Sequence, residues 1–327
     1  MEHLLEVEKL SVSFLVRKEW VSAIDDVSFF IGKGETLGIV GESGCGKSVT
    51  SMSILQLLPR NISRIDCGSI VFKDKDIVGY TGKQMTHLRG EEIAMIFQDS
   101  MTSLNPVMKN GLQLEEALLL HRKLGKAEAR EKVLEILKSV GIPSPEKRYH
   151  EYPHQLSGGM RQRLMIAMAL IQSPSLLIAD EPTTALDVTI QAQILQLMKD
   201  LKKTKKDISI MLITHDMGVV AEMTDRILVM YAGNIMEVGS TNAIFKSPKH
   251  PYTQGLLSSI PRPDKNMEAL SSIEGNVPTL SNMPSGCRFN TRCKAAKKCC
   301  FEEKPPMFDL EDRQVRCWKY DPQGRYL

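Results

Sequence analysis

Apolar residues near the N-terminus recur at every second position. Leu5, Val7, Leu10, Val12 and Phe14 keep this spacing or come close to it, and the run VSFFI follows at residues 27–31. Period two puts one face of an extended chain in a core, so the pattern predicts two half-buried strands joined by a loop over residues 17–22. Next comes ETLGIVG, a short apolar run ending in glycine, and then KSVTSMSILQLL, whose apolar spacing is helical. From residue 111 to 140 apolar positions recur every three or four residues, which predicts at least two helices broken near Gly125. A helix from Gly158, a strand over SLLIAD, a helix over 189–203, a strand over ISIMLIT and a helix from about Met217 complete the series. Strands alternating with helices predict a parallel sheet covered on both faces.

Around residue 240 this alternation stops, and Pro248, Pro251, Pro261, Pro263, Pro278 and Pro284 punctuate the chain. The expected division is residues 1–239 as one domain and 240–327 as an irregular extension. Composition narrows the function classes: 42% hydrophobic and 25% charged residues describe an ordinary globular chain, and a net charge of +3 gives no general reason to expect a nucleic acid partner. The longest apolar run, LMIAMALI, is too short to cross a bilayer. MEHLLEVEKL has no apolar signal core, so a cytosolic chain with reduced thiols is expected.

Two motifs carry phosphate chemistry. In GESGCGKS, Gly41, Glu42, Ser43, Gly44, Cys45, Gly46, Lys47 and Ser48 match G-x-x-x-x-G-K-[ST] at every fixed position. Glycines let successive N–H groups turn toward a phosphate chain, and the helix that starts at Lys47 and continues through Val49 points its positive end there. Lys47 adds charge for the β and γ oxygens, and the Ser48 hydroxyl is suited to magnesium. LLIADE is a strand ending in two carboxylates: Asp180 is expected to hold magnesium, and Glu181 to take the proton of an attacking water.

A third motif, LSGGMRQR, supplies a second helix N-terminus with open N–H groups at Ser157, Gly158 and Gly159. Together the three resemble the ATP-binding subunits of ABC transporters, whose signature is usually LSGGQ; Met160 stands here in place of the glutamine. The resemblance spans about residues 4 to 240. It implies a P-loop ATPase core of the α/β class, with a mixed sheet, an antiparallel β subdomain and a helical subdomain over about 98–172. It also implies that the signature of one subunit closes on ATP held by another. Gln98 then matches the family's glutamine at magnesium and water, His215 the histidine at the γ-phosphate, and Ala185 to Asp187 the loop that crosses the dimer interface. Phe14 is the best match for the aromatic residue that stacks on adenine, with Trp20 as the alternative.

QDSMTSLNPVM and HPYTQGLLSSIP are similar to the subfamily that imports dipeptides and oligopeptides, which nickel importers share in part. That subfamily implies two membrane permease subunits, a second ATPase subunit that is a paralogue, an extracytoplasmic peptide-binding protein and a peripheral place on the cytoplasmic face of the membrane. It also implies a [4Fe–4S] cluster on four C-terminal cysteines. Cys287, Cys293, Cys300 and Cys317, with gaps of five, six and sixteen residues, match best; Cys299 is left over, although the sequence alone lets it exchange with Cys300. Such gaps fit the close pairs of a zinc knuckle poorly, although four thiolates also suit zinc. A soluble ABC ATPase of ribosomes or DNA is the rival class. The single core and the lack of a coiled-coil insertion oppose it.

Overall fold

The computed structural model describes residues 2–98, 103–183, 187–204, 207–259 and 273–326. Part of the QDSMTSLNPVM stretch, Ala185 and Leu186, and Pro261 and Pro263 therefore lie outside the described residues. The chain divides into two compact units.

One unit comprises Lys33–Glu35 and Gly79–Met211. The other comprises Glu2–Gly32, Thr36–Val78 and Leu212–Leu327.

In the second of these units, β1 (His3–Val16) and β2 (Glu19–Gly32) form a long antiparallel hairpin turned at Arg17 and Lys18, both with positive φ. The period-two pattern is borne out here, and the strands run closer together than the expected loop allowed. β4 (Ser63–Phe72) pairs with the other edge of β1 and β5 (Lys75–Asp76) with β4, completing an antiparallel sheet. The same unit holds β3 (Thr36–Val40), β9 (Arg226–Tyr231) and β10 (Asn234–Ser240). β3 is parallel to β9, and β10 turns back antiparallel.

Beyond Gly239 the chain is more regular than the sequence suggested. Helices cover Thr241–Lys246 and Pro251–Ser258, and β11 (Phe308–Leu310) and β12 (Arg313–Val315) extend the sheet past β10. Pro251 does not break its helix because it sits at the first helical position, where no N–H is needed. Buried Glu237 on β10 accepts from the N–H groups of Lys249 and His250, both at 2.9 Å, and from Arg313 at 3.3 Å. A buried carboxylate held by three donors fixes the turn into the helix Pro251–Ser258 and the added strand together.

In the other unit, β6 (Ile93–Ile96) lies parallel to β7 (Leu176–Asp180), whose five residues are all buried. Helices over Asn110–Leu119 and Lys126–Ser139 flank the expected break, with Gly125 as the extended cap of the second. They bury Leu114, Leu118, Val133 and Leu137 at helical spacing. The helix at Gly158–Leu170 and the helix at Val188–Thr204 match their expected positions within a residue or two. β8 (Ser209–Ile213) begins in this unit, where Ser209 N–H donates to Ser175 O at 2.9 Å. It ends in the other, where Thr214 N–H donates to Ile39 O at 3.3 Å.

Candidate functional site

β3 delivers the chain into the phosphate loop, and the loop's backbone explains its glycines. Gly41, Gly44 and Gly46 have φ of 155°, 76° and 107°. A Cβ on Gly41 would stand 2.2 Å from Met230 O, and one on Gly46 2.7 Å from Ile24 Cγ2. Neither position tolerates a side chain. Gly46 caps the helix Lys47–Ile54, whose first turn carries no acidic residue, so its positive end is uncompensated by side chains of its own. The Lys47 side chain is folded into the loop, with Nζ donating to Gly41 O at 2.7 Å and Glu42 O at 3.1 Å. Ser43 and Gly44 are exposed, and Ser48 and Val49 are half-buried. Cys45 is fully buried, and burial pushes its thiol up, so it packs as an inert small side chain. The loop is a preformed cradle for an anion.

His215 follows β8 in the same unit and is exposed, next to Asp216, which caps the helix Met217–Met223 through Gly218 N–H at 2.8 Å. Phe14 is half-buried on β1, opposite Val21 and Ser63. Trp20 is 40% exposed, and the Arg64 guanidinium lies 4.3 Å from its ring centre.

In the other unit, register brings two expected residues together. Ile96 pairs with Ala179, so Gln98 and Glu181 each lie two residues past a paired position. Gln98 Nε2 donates to Glu181 Oε2 at 2.9 Å. Glu181 has φ of 47°, a left-handed conformation that costs a non-glycine residue about 1 kcal/mol or more and is found mostly at functional positions. Asp180, at the end of β7, is 4% exposed. Ser157 caps the signature helix by accepting from Met160 N–H at 3.3 Å, and Gly158 is open to solvent. Sequence reasoning missed Gln162 on that helix: buried, it donates to Pro182 O at 2.5 Å, which ties the signature helix to the residue after Glu181. One buried glutamine between two half-buried arginines gave no local signal.

The C-terminal cysteines gather in the unit that holds β1, β2 and the phosphate loop. All seven cysteines of the chain are free thiols. Cys287, Cys300 and Cys317 are buried and Cys293 is half-buried; all four line one small cavity with Phe289, Trp318 and Tyr326, whereas Cys299 does not. Burial raises the Cys287 thiol to about 12 and the Cys317 thiol to about 11, and the neighbouring cysteines add to the rise. Without a bound cation the Cys287 and Cys317 sulfurs would stay protonated. Among the described residues, no three of these sulfurs come within 4.8 Å of one another.

Gly286 makes the site possible: a Cβ there would stand 2.3 Å from Cys300 O. Gly286→Ala is expected to lower the melting temperature and the metal content together, as measured by thermal unfolding and elemental analysis. Unchanged metal content would show that the segment tolerates the shift.

His250 lies against this cavity, 1% exposed, with Nδ1 accepting from Tyr252 N–H at 3.0 Å. Burial lowers its imidazole from 6.5 to about 3. The unfolded chain therefore takes up a proton that the folded chain refuses. Stability is complete above the unfolded value and falls as pH drops below it, by about 1.4 kcal/mol per pH unit until the folded value is reached. Denaturant unfolding from about pH 7 to about pH 5 should show this slope, and His250→Asn should lose it. An equal slope in both proteins would contradict the assignment.

Comparisons place this geometry among known proteins. The ABC transporter family model matches residues 24–184, and the model described as the oligopeptide/dipeptide transporter C-terminal region matches 236–300. The oligopeptide transport ATP-binding protein OppD of Bacillus subtilis is 54% identical, covering 98% of this chain and 90% of that one. The dipeptide transport ATP-binding protein DppD of the same organism is 52% identical over 100% of this chain and 97% of its own length. Among solved structures, a dimeric ATP-binding cassette in a post-hydrolysis state with ADP and phosphate superposes with a TM-score of 0.65 at 26% identity, covering 72% of this chain and 98% of that one. The expected fold class is borne out as an ABC ATPase fold of mixed sheet and helices. The chain belongs to the ATP-binding subunits of the ABC transporter family, in its oligopeptide/dipeptide branch.

Proposed function

We propose that this chain hydrolyses ATP to power import of dipeptides and oligopeptides through a membrane transporter. The observation that carries the reading is the preformed phosphate loop joined, in one chain, to the C-terminal region of the oligopeptide/dipeptide branch. Residues 1–239 form the nucleotide-binding domain and 240–327 the cysteine-bearing extension.

In this reading the loop from Gly41 to Val49 cradles the phosphates, Lys47 neutralises the β and γ oxygens, and Phe14 stacks on the adenine. Ser48, Gln98 and Asp180 are the magnesium ligands, direct or through water. Bound magnesium would offset the charge that develops on the transferred phosphoryl group. Glu181 takes the proton of the attacking water, and Gln98 orients its carboxylate. His215 contacts the γ-phosphate. Ser157, Gly158 and Gly159 close on ATP held by a second ATPase subunit, a paralogue. Hydrolysis then separates the two subunits, which work on two permease subunits fed by an extracytoplasmic peptide-binding protein. No helix of the described residues is long and apolar enough to cross a membrane, which suits a peripheral subunit on the cytoplasmic face. No nucleic acid partner is expected.

Cys287, Cys293, Cys300 and Cys317 hold a [4Fe–4S] cluster, with zinc as the alternative occupant. What supports a shared occupant is that all four line one cavity.

ATP hydrolysis by the complex with its permease should rise when the binding protein carries peptide. Stimulation by nickel alone, or sedimentation with ribosomes in place of membranes, would overturn the reading. Anaerobically purified protein should show broad visible absorption and about four irons and four sulfides per chain. Colourless protein with one zinc would replace the cluster and leave the ATPase assignment standing.

A further inference from the structure

Glu42 sets a carboxylate inside the phosphate loop, where its charge opposes nucleotide. Its counter-charge comes from the cysteine segment. Arg292 Nη1 donates to both Glu42 oxygens, at 3.1 and 2.9 Å, and the Arg292 side chain is only 5% exposed. The guanidinium is fixed on its other sides as well. It donates to the Tyr231 hydroxyl at 3.3 Å, to Ile273 O at 3.0 Å and to Glu274 O at 3.0 Å. Held at so many points, it cannot follow a moving loop, so Glu42 is the partner that is held. A second grip comes from Tyr252, whose hydroxyl accepts from Glu42 N–H at 2.9 Å while its ring packs 5.3 Å from that of Phe289.

Arg292 projects from a tight turn between two of the cavity-lining cysteines. Asn290 N–H donates to Cys287 O at 3.0 Å, Arg292 N–H to Phe289 O at 3.1 Å, and Cys287 N–H to Cys300 O at 2.8 Å. Any group bound by Cys287 and Cys293 therefore fixes the backbone from which Arg292 reaches the loop.

We propose that Arg292 is a positioning residue for nucleotide binding, which neutralises Glu42 and couples the phosphate loop to whatever occupies the cysteine site. The inference rests on the nucleotide and cysteine readings above. Filling the cysteine site favours ATP binding. By reciprocity, bound ATP slows loss of the occupant.

The test uses full-length protein purified anaerobically, with Arg292→Ala, Arg292→Lys, Glu42→Gln and the double variant Arg292→Ala with Glu42→Gln. Three quantities are measured: affinity for a fluorescent ATP analogue, single-turnover hydrolysis at saturation, and release of metal to a chelator with and without ATP. Arg292→Ala should weaken affinity by about tenfold or more, while saturated turnover changes by less than about twofold. Arg292→Lys should fall between, because an ammonium keeps the charge and loses the donors that anchor Arg292 to Glu274 O and Ile273 O. Adding Glu42→Gln to Arg292→Ala should restore most of the affinity, since the uncompensated carboxylate is gone. ATP should slow metal release from the wild type and not from Arg292→Ala.

Wild-type affinity in Arg292→Ala would overturn the proposal. So would a double variant no tighter than Arg292→Ala, which would reduce Arg292 to a support of the fold. If Arg292→Ala fails to fold, Arg292→Lys with and without Glu42→Gln decides by the same comparison. If the wild type holds no metal, the cysteine reading fails by itself, and the proposed coupling fails with it; the affinity arms still decide whether Arg292 positions the loop.

Discussion

Lys47→Ala is expected to abolish measurable ATP binding while the protein stays folded. The ammonium is the only charge carried into the loop by its own helix, and it sits beside Gly41 O and Glu42 O, where the glycines leave room for phosphate. Removing one preorganised charge of this kind typically costs about 10² to 10³ in affinity or rate. The fold should survive. Thr50 N–H still donates to Gly46 O at 2.9 Å, and Gly233 N–H to Cys45 O at 2.9 Å, so the loop keeps its backbone anchors. Equilibrium binding of a fluorescent ATP analogue, with a melting curve beside it, separates the two effects. Affinity within about threefold of wild type would mean that Lys47 serves the apo loop and not the nucleotide.

Glu181→Gln should leave ATP binding near normal and lower hydrolysis by about 10² to 10³. The amide keeps the shape of the carboxylate and can still meet Gln98, but it cannot accept a proton. Gln98→Ala should be milder, because it loosens the carboxylate and leaves its chemistry intact. The left-handed backbone of Glu181 is retained in both variants, so stability should hardly move. Single-turnover hydrolysis on preloaded protein gives the rate directly. Normal turnover in Glu181→Gln would place the base elsewhere.

The elements most legible in the sequence are those whose cause is local. β1 and β2 follow from period two, the phosphate loop from its glycines, and the helix Gly158–Leu170 from Ser157 and the open glycines after it. The meeting of Gln98 and Glu181 depends on the register of β6 against β7, which no local pattern encodes; it was expected only through the family resemblance. Arg292 was invisible for the same reason: its partners Glu42 and Tyr231 are far away in the chain. The C-terminal segment was read as irregular because prolines usually end elements. Pro251 opens a helix instead, and Arg313 on β12 is drawn to buried Glu237. The cysteine set was readable from the resemblance. What the fold adds is that Cys287, Cys293, Cys300 and Cys317 line one cavity and Cys299 does not.

The most direct test of the central claim is uptake of a labelled oligopeptide into proteoliposomes that contain this chain, its permease pair and its partner ATPase, with ATP on the side of the ATPases. The account gives uptake that needs ATP and peptide-binding protein and collapses with Glu181→Gln in this chain. Uptake that persists undiminished with Glu181→Gln, or a complex that hydrolyses ATP and moves nickel but no peptide, would contradict it.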